Sequence, residues 1–269
     1  MKYRVLVLDL DGTLTNSRKE ITDKTKTALQ EYQRQGGIVI LASGRPAYGI
    51  WPLAKELELD QFGGYILAFN GGQITDCRSQ KILKRRTIPK EMNGVLYRLA
   101  KENQVVILTY GEDCLITENP EDQYVKEEVR INRMEARKVN SFTESVNSPV
   151  EKFLMVGDGD YLAGVEVRVK EAVGGNLSIC RSAPFFLEIM PEGIDKAVSL
   201  KWLMEYLELG LEELAACGDG FNDLSMIEAA GLGIAMANGQ ECVKAAADVI
   251  APSNDEDGVA WAVTQLLIS

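Results

Sequence analysis

The chain has 269 residues and a net charge of −11, with 46% hydrophobic and 26% charged residues. That balance is ordinary for a globular protein with a substantial core, and the acidity disfavours broad binding of a nucleic-acid backbone. Histidine is absent, which excludes Ser-His-Asp and Cys-His catalysis, H-E-x-x-H zinc sites and phosphohistidine intermediates.

The first element is Val5-Leu6-Val7-Leu8, a buried-looking strand running into Asp9-Leu10-Asp11-Gly12-Thr13-Leu14. Side chains two apart on a strand point the same way, so the spacing aims Asp9 and Asp11 into one small volume. At about 4 Å and an effective dielectric near 20, two such charges repel by roughly 4 kcal/mol. Either one is protonated or a cation sits between them. Asp and Gly are also ordinary turn residues, so this motif alone is ambiguous and needs partners elsewhere.

Thr22 suits the N-cap of a helix running towards Gln35, closed by Gly36-Gly37. The β-branched run from Gly37 to Ala42 reads as a second strand ending in Ser43-Gly44-Arg45-Pro46, followed by a helix with Leu53, Ala54 and Leu57. Tyr65 to Phe69 reads as a third strand, ending in Asn70-Gly71-Gly72. Near-continuous hydrophobic strands alternating with helices indicate a parallel sheet. Ligands bind beyond the carboxyl ends of such strands, where all three polar tips fall.

The pattern changes near residue 82. Pro89 opens a helix carrying Met92, Val95, Leu96 and Leu99, and Val105 to Leu108 with Cys114 to Thr117 could form a hairpin. A charged helix from Glu121 to Arg130 leads into a polar stretch, after which a strand (Phe153 to Val156), a helix (Tyr161 to Val173) and a strand (Leu177 to Cys180) follow. These blocks suggest an inserted α+β domain over 83–185, with the first domain made of 1–82 and 186–269. A cleft between the two is the expected ligand site.

The last portion returns to the earlier style. Asp195 to Leu207 is an amphipathic helix; Leu214 to Cys217, Gly231 to Met236 and Val249-Ile250 are strands; Val259 to Leu267 closes the chain as a helix. The turn Gly218-Asp219-Gly220-Phe221-Asn222-Asp223 follows its strand directly. Together with Asp9 and Asp11, its acids supply hard oxygen ligands suited to Mg²⁺. Ser43-Gly44 at a strand–helix junction offers a hydroxyl and backbone N–H groups to an anion, and Lys196 opens the amphipathic helix. The five cysteines (Cys77, Cys114, Cys180, Cys217 and Cys242) contain no C-x-x-C pair, so they read as small buried apolar residues rather than disulfide or zinc ligands. No apolar run approaches about 18 residues and no basic, signal-type start is present, so cytoplasmic residence without a membrane partner is expected.

Four motifs in order now carry a resemblance: Asp9-Leu10-Asp11-Gly12-Thr13-Leu14, Ser43-Gly44-Arg45, Lys196 within Gly193-Ile194-Asp195-Lys196-Ala197, and Gly218-Asp219-Gly220-Phe221-Asn222-Asp223. The chain resembles the haloacid dehalogenase-like hydrolases, and within them the Cof-type sugar phosphatases. The resemblance spans the whole chain and implies an α/β fold: a Rossmann-like parallel-sheet core with an inserted α+β cap that sets specificity. It implies a phosphatase acting on small phosphorylated metabolites, sugar phosphates above all, through an aspartyl-phosphate. Asp9 would be the nucleophile and Asp11 the proton carrier. Mg²⁺ would be held by Asp9, Asp11 (through its backbone carbonyl in this family), Asp219 and Asp223. Leu10, Ser43, Gly44, Lys196 and Asn222 would hold the phosphoryl group, and Arg45, Asn70 and Gly71 would meet the substrate. The third motif departs from the family in carrying Asp195 before the lysine, as a helix N-cap or a filter for substrates. Val156-Gly157-Asp158-Gly159-Asp160 imitates the fourth motif but lacks its Asn-Asp pair and reads as a turn before a helix. Phosphotransfer to an acceptor hydroxyl, or a receiver-like phospho-accepting module, are the alternative functions.

Overall fold

A computed structural model of the chain describes residues 1–268. Four consecutive buried residues make β1 (Val5–Leu8), as expected of a strand covered on both faces. In chain order β2 (Ile38–Ala42), β3 (Tyr65–Ala68), β4 (Gln73–Asp76) and β5 (Ile82–Arg85) follow. Next come β6 (Val106–Tyr110), β7 (Cys114–Thr117), β8 (Glu135–Lys138), β9 (Phe153–Val156), β10 (Leu177–Ala183) and β11 (Phe186–Pro191). The last are β12 (Leu214–Gly218), β13 (Leu232–Met236) and β14 (Val249–Ala251).

The described residues fall into two units, 1–84 with 195–268 and 85–194. In the first, the strands form a sheet ordered β14-β13-β12-β1-β2-β3-β4-β5. From β14 to β3 every pairing is parallel, and only β4 runs antiparallel to β3. The fold is therefore α/β with a Rossmann-like parallel core. The chain moves outward from β1 through β2 and β3, then returns to pair β12 on the other side of β1. That reversal is the topological switch point at which such sheets bind ligands.

Val5, Val7, Ile40, Ala42 and Leu67 pack with Leu200, Leu203, Met226, Ile227 and Val243, so the helices Lys196–Tyr206, Leu224–Ala229 and Glu241–Ala246 cover one face. Met226 is thus a core residue. The alternate residues Leu6, Leu8, Val39 and Leu41 are equally buried on the opposite side. Thr22 caps the helix Asp23–Arg34 by accepting from the Thr25 N–H, as the sequence suggests. Register puts Leu8 opposite both Leu41 and Cys217, so Asp9, Ser43 and Asp219 all emerge at the carboxyl edge.

In the second unit the order is β10-β11-β9-β6-β7-β8, antiparallel except for β7 with β8. Leu96 and Leu99 of the helix Glu91–Glu102, with Leu162, Val165 and Val169 of the helix Gly159–Val173, pack on Ile107, Phe153, Met155, Ile179 and Ile189. A largely antiparallel sheet with these two helices packed on one face makes this unit α+β. Asp158 is the N-cap of the second helix, accepting from the Asp160 and Tyr161 N–H groups, which accounts for the imitation of the fourth motif.

Several details differ from the sequence reading. The expected boundary at 185 falls inside this unit, because Phe186–Pro191 pairs with β9 and β10. The polar stretch after Arg130 contains β8 and a short helix, Phe142–Ser145. β8 is an exposed edge strand with no hydrophobic alternation to betray it. Cys77, Cys114 and Cys217 are buried as expected, but Cys180 and Cys242 are exposed. Among the described residues no helix is long and apolar enough to cross a membrane.

Candidate active site

Asp9 follows β1 directly, its N–H donating to Cys217 O at 3.0 Å. Its Oδ1 accepts from Lys196 Nζ at 2.7 Å, and the same ammonium donates to Asp223 Oδ1 at 2.6 Å and Ala42 O at 3.0 Å. The Lys196 side chain is 0% exposed. All three of its protons are therefore matched by acceptors, which is what a buried ammonium requires. Burial would lower the Lys196 pKa, but Asp9 and Asp223 override it and hold the group firmly protonated.

Asp195 aims this lysine. Its Oδ1 accepts from the Ala197 and Val198 N–H groups, capping the helix Lys196–Tyr206, and its Oδ2 accepts from Ser225 Oγ at 2.6 Å. The departure in the third motif is thus an N-cap. The same residue ties the lysine helix to the helix following the acidic turn.

In that turn Asp223 uses both oxygens. Oδ1 takes Lys196, while Oδ2 accepts from the Asp219 and Gly220 N–H groups at 3.0 and 2.9 Å. Asp219 Oδ1 accepts from Thr13 Oγ1 at 2.8 Å. Carboxylate oxygens of Asp9, Asp219 and Asp223 lie within 4.8 Å of one another. With three acids facing one lysine, the cluster carries uncompensated negative charge. Burial raises the Asp9 carboxyl to about 7 against the pull of Lys196, with Asp223 adding repulsion. Burial likewise raises Asp219 to about 6 against the Thr13 hydrogen bond, again with repulsion from Asp223. An all-oxygen donor set short of positive charge fits a hard divalent cation.

Asp11 is not part of that cluster. Its carboxylate accepts from Arg45 Nε at 2.8 Å and Nη2 at 2.6 Å, and from Lys19 Nζ at 2.7 Å. Burial opposes ionisation, but these two cations hold the Asp11 carboxyl below the usual range. The expectation that Asp9 and Asp11 share one volume is corrected here. β1 ends at Leu8, so strand alternation does not extend to Asp11, whose side chain goes to Arg45 and Lys19. The pairing with Asp11 occupies two guanidinium nitrogens of Arg45, the residue expected to meet the substrate.

The other sequence-derived residues gather nearby. Leu10 turns its side chain into the core and its carbonyl accepts from Thr15 N–H and Oγ1, so any contact with an anion falls to its N–H. Ser43 is buried, and its Oγ accepts from the Arg45 N–H, leaving the hydroxyl hydrogen to donate. Gly44 faces the Asn70 amide, and Asn70 Oδ1 accepts from Asn222 Nδ2 at 3.0 Å. Asn70 holds φ +55° and Gly71 φ +97°, an unusual turn that brings the second and fourth motifs together. Gly71 is buried, its carbonyl accepts from Ser199 Oγ, and a Cβ there would lie 2.4 Å from that oxygen. Packing on the lysine helix requires a glycine there.

Sequence reasoning passed over Thr13, Asn238 and Asn254. Asn238 Nδ2 donates to Gly12 O, Asn238 Oδ1 accepts from the Asn254 N–H, and Asn254 Nδ2 donates to Thr15 O. The Asn238-Gly239 turn after β13 was the available signal.

A family model described as haloacid dehalogenase-like hydrolase matches residues 6–263. The chain is similar to phosphatase YwpJ of Bacillus subtilis, 29% identical over 288 residues covering 98% of this chain and 100% of the relative. It is similar to pyridoxal phosphate phosphatase YbhA of Escherichia coli, 27% identical over 277 residues and the full length of both. Its fold resembles that of a haloacid dehalogenase-like hydrolase from Bacteroides thetaiotaomicron, with a TM-score of 0.97, 48% identity and 99% and 100% coverage of the two chains. A sugar phosphatase of subclass IIB superimposes with a TM-score of 0.81 at 25% identity, covering 97% and 98%. Motifs, fold and family model agree: the chain belongs to the haloacid dehalogenase-like hydrolases.

Proposed function

We propose that this haloacid dehalogenase-like phosphatase hydrolyses small phosphorylated metabolites, sugar phosphates above all, through a phosphorylated Asp9 and with Mg²⁺ as cofactor. The observation that carries the reading is the buried Lys196 ammonium shared by Asp9 and Asp223 at the strand ends, with Asp219 beside them. Asp9 Oδ attacks phosphorus, and the leaving alkoxide departs with its electron pair. Water then attacks the phosphorus of the phosphorylated Asp9, the bond from phosphorus to Asp9 breaks with its electron pair returning to the carboxylate, and inorganic phosphate leaves. Asp11 carries the proton in both halves. Mg²⁺ would be held by Asp9, Asp219 and the main chain at Asp11 with Asp223 in support, and would neutralise charge between a carboxylate and a phosphate dianion.

Lys196 orients Asp9 and supplies the neighbouring positive charge. Ser43 Oγ–H, the N–H groups of Leu10 and Gly44, and the Asn222 amide hold the phosphoryl oxygens, while Asn70 sets the Asn222 amide by their mutual hydrogen bond. Phosphoryl transfer needs alignment and charge neutralisation more than covalent machinery, and these groups supply both. The unit Arg85–Ile194 is read as the cap that selects the substrate, and the protein as cytoplasmic. The similarity to phosphatases of sugar phosphates and of pyridoxal phosphate supports a small phosphorylated substrate.

The test is phosphate release from a panel of sugar phosphates, phosphorylated cofactors and 4-nitrophenyl phosphate, with and without Mg²⁺. Asp9→Asn is expected to abolish turnover of every substrate. Metal-dependent turnover persisting in that variant would remove Asp9 as the nucleophile.

A further inference from the structure

We propose that Arg45 is a positioning residue for Asp11, holding its carboxylate in the orientation needed when water attacks the phosphorylated Asp9. The inference rests on the roles of Asp9 and Asp11 given above.

The contact is a two-pronged one, Nε to Oδ2 at 2.8 Å and Nη2 to Oδ1 at 2.6 Å. Parallel guanidinium–carboxylate hydrogen bonds fix orientation as well as distance. The Arg45 side chain is 15% exposed and that of Asp11 35%, so this is not a loose rim pair. Arg45 is itself pinned at the backbone. Its N–H donates to Ser43 Oγ, its carbonyl accepts from the Phe69 N–H, and Pro46 follows as the N-cap of the helix Ala47–Glu56. The guanidinium therefore starts from a fixed point.

Asp11 lies beyond β1, its backbone held by a single bridge to Thr15, and its carboxylate is held by Arg45 and Lys19. Lys19 also reaches it, but that side chain is 54% exposed, and a flexible ammonium supplies charge rather than aim.

The chemistry says which half of the reaction needs the clamp. In the second half the water oxygen forms a bond to phosphorus, the bond from phosphorus to Asp9 breaks, and its electron pair returns to the Asp9 carboxylate. The water proton passes to Asp11. The accepting form is the carboxylate, which is the form a guanidinium fork grips. An arginine that bound substrate instead would have to abandon two charge-assisted hydrogen bonds.

The experiment is stopped-flow hydrolysis of 4-nitrophenyl phosphate by the Mg²⁺-loaded full chain and its Arg45→Met and Arg45→Lys variants. The 4-nitrophenolate leaves without needing a proton, so the first half is spared. In Arg45→Met the ratio of first-turnover rate to steady-state rate is expected to rise roughly tenfold to a hundredfold, with phosphoenzyme accumulating in acid-quenched samples. Arg45→Lys, which keeps charge but loses the fork, is expected to fall between and serves if Arg45→Met does not fold.

Equal loss in both phases marks a merely structural role and overturns the proposal, as does no change in either. A raised KM with kcat unaltered assigns Arg45 to substrate binding and also overturns it. Asp9→Asn and Asp11→Asn run alongside. Turnover in the first, or an unchanged rate ratio in the second, would count against the parent reading of those residues, separately from Arg45.

Discussion

Lys196 Nζ lies 2.6 Å from Asp223 Oδ1, a contact in which both side chains are essentially unexposed. Asp223 in turn accepts from two N–H groups of its own turn, so one carboxylate sets both the lysine and the turn carrying Asp219. Removing a partner from such a pair costs more than the pair is worth, because the remaining charge stays buried. Lys196→Met is expected to lower stability by about 3–5 kcal/mol and kcat by roughly a hundredfold or more. Urea denaturation and steady-state kinetics measure the two effects.

Gly12 sits at φ +93°, and a Cβ there would lie 2.4 Å from Asp219 Oδ2. Both the backbone conformation and the close approach demand glycine. Gly12→Ala is expected to destabilise by about 1–3 kcal/mol and to displace Asp219. Mg²⁺ affinity measured by calorimetry should weaken by about tenfold; unchanged affinity would separate Asp219 from the metal.

The raised Asp9 and Asp219 carboxyls, at about 7 and about 6, give a pH dependence with a definite sign. Unfolded carboxyls lose protons near pH 4, so from there to about pH 7 the unfolded state is the one that ionises first. In EDTA, stability contributed by these groups falls as pH rises through that window. The fall is at most roughly 1.4 kcal/mol per pH unit for Asp9, with less from the partly exposed Asp219. Mg²⁺ binds the ionised form, so the gap between Tm in Mg²⁺ and Tm in EDTA should widen from pH 5 to pH 8. A gap independent of pH would argue against these carboxylates as ligands.

Asp195 and Ser225 are joined by a 2.6 Å hydrogen bond that leaves the N-cap bonds intact. Ser225→Ala is expected to cost about 1 kcal/mol, whereas Asp195→Ala, which also loses the cap, costs about 2 kcal/mol. Thermal denaturation of both variants checks the order; equal losses would mean that the tether to Ser225 carries the whole effect.

Much of the fold was legible because β1, β2, β3 and β12 are hydrophobic along nearly their whole length and end in distinctive polar tips. β8 and β4 were not, since Glu135–Lys138 and Gln73–Asp76 carry no uninterrupted apolar run. Within the site, Asp9, Lys196, Asp219 and Asp223 could be named from their motifs. Asn238 lies in a recognisable turn, but neither its partner nor that of Asn254 could be read, because their targets are backbone carbonyls of a loop more than two hundred residues earlier.

By itself, the amino-acid order determined the alternation of strand and helix, the four motifs and the chemistry open to a chain without histidine. Those are local properties, set by hydrophobic period and residue type. Only the tertiary structure decided how the two acids of Asp9-Leu10-Asp11 divide. Asp9 meets a lysine 187 positions later, and Asp11 meets Arg45 in the loop after the neighbouring strand. Their two-residue spacing is the same in either arrangement. The partner each carboxylate takes depends on where β1 stops and which strands lie beside it.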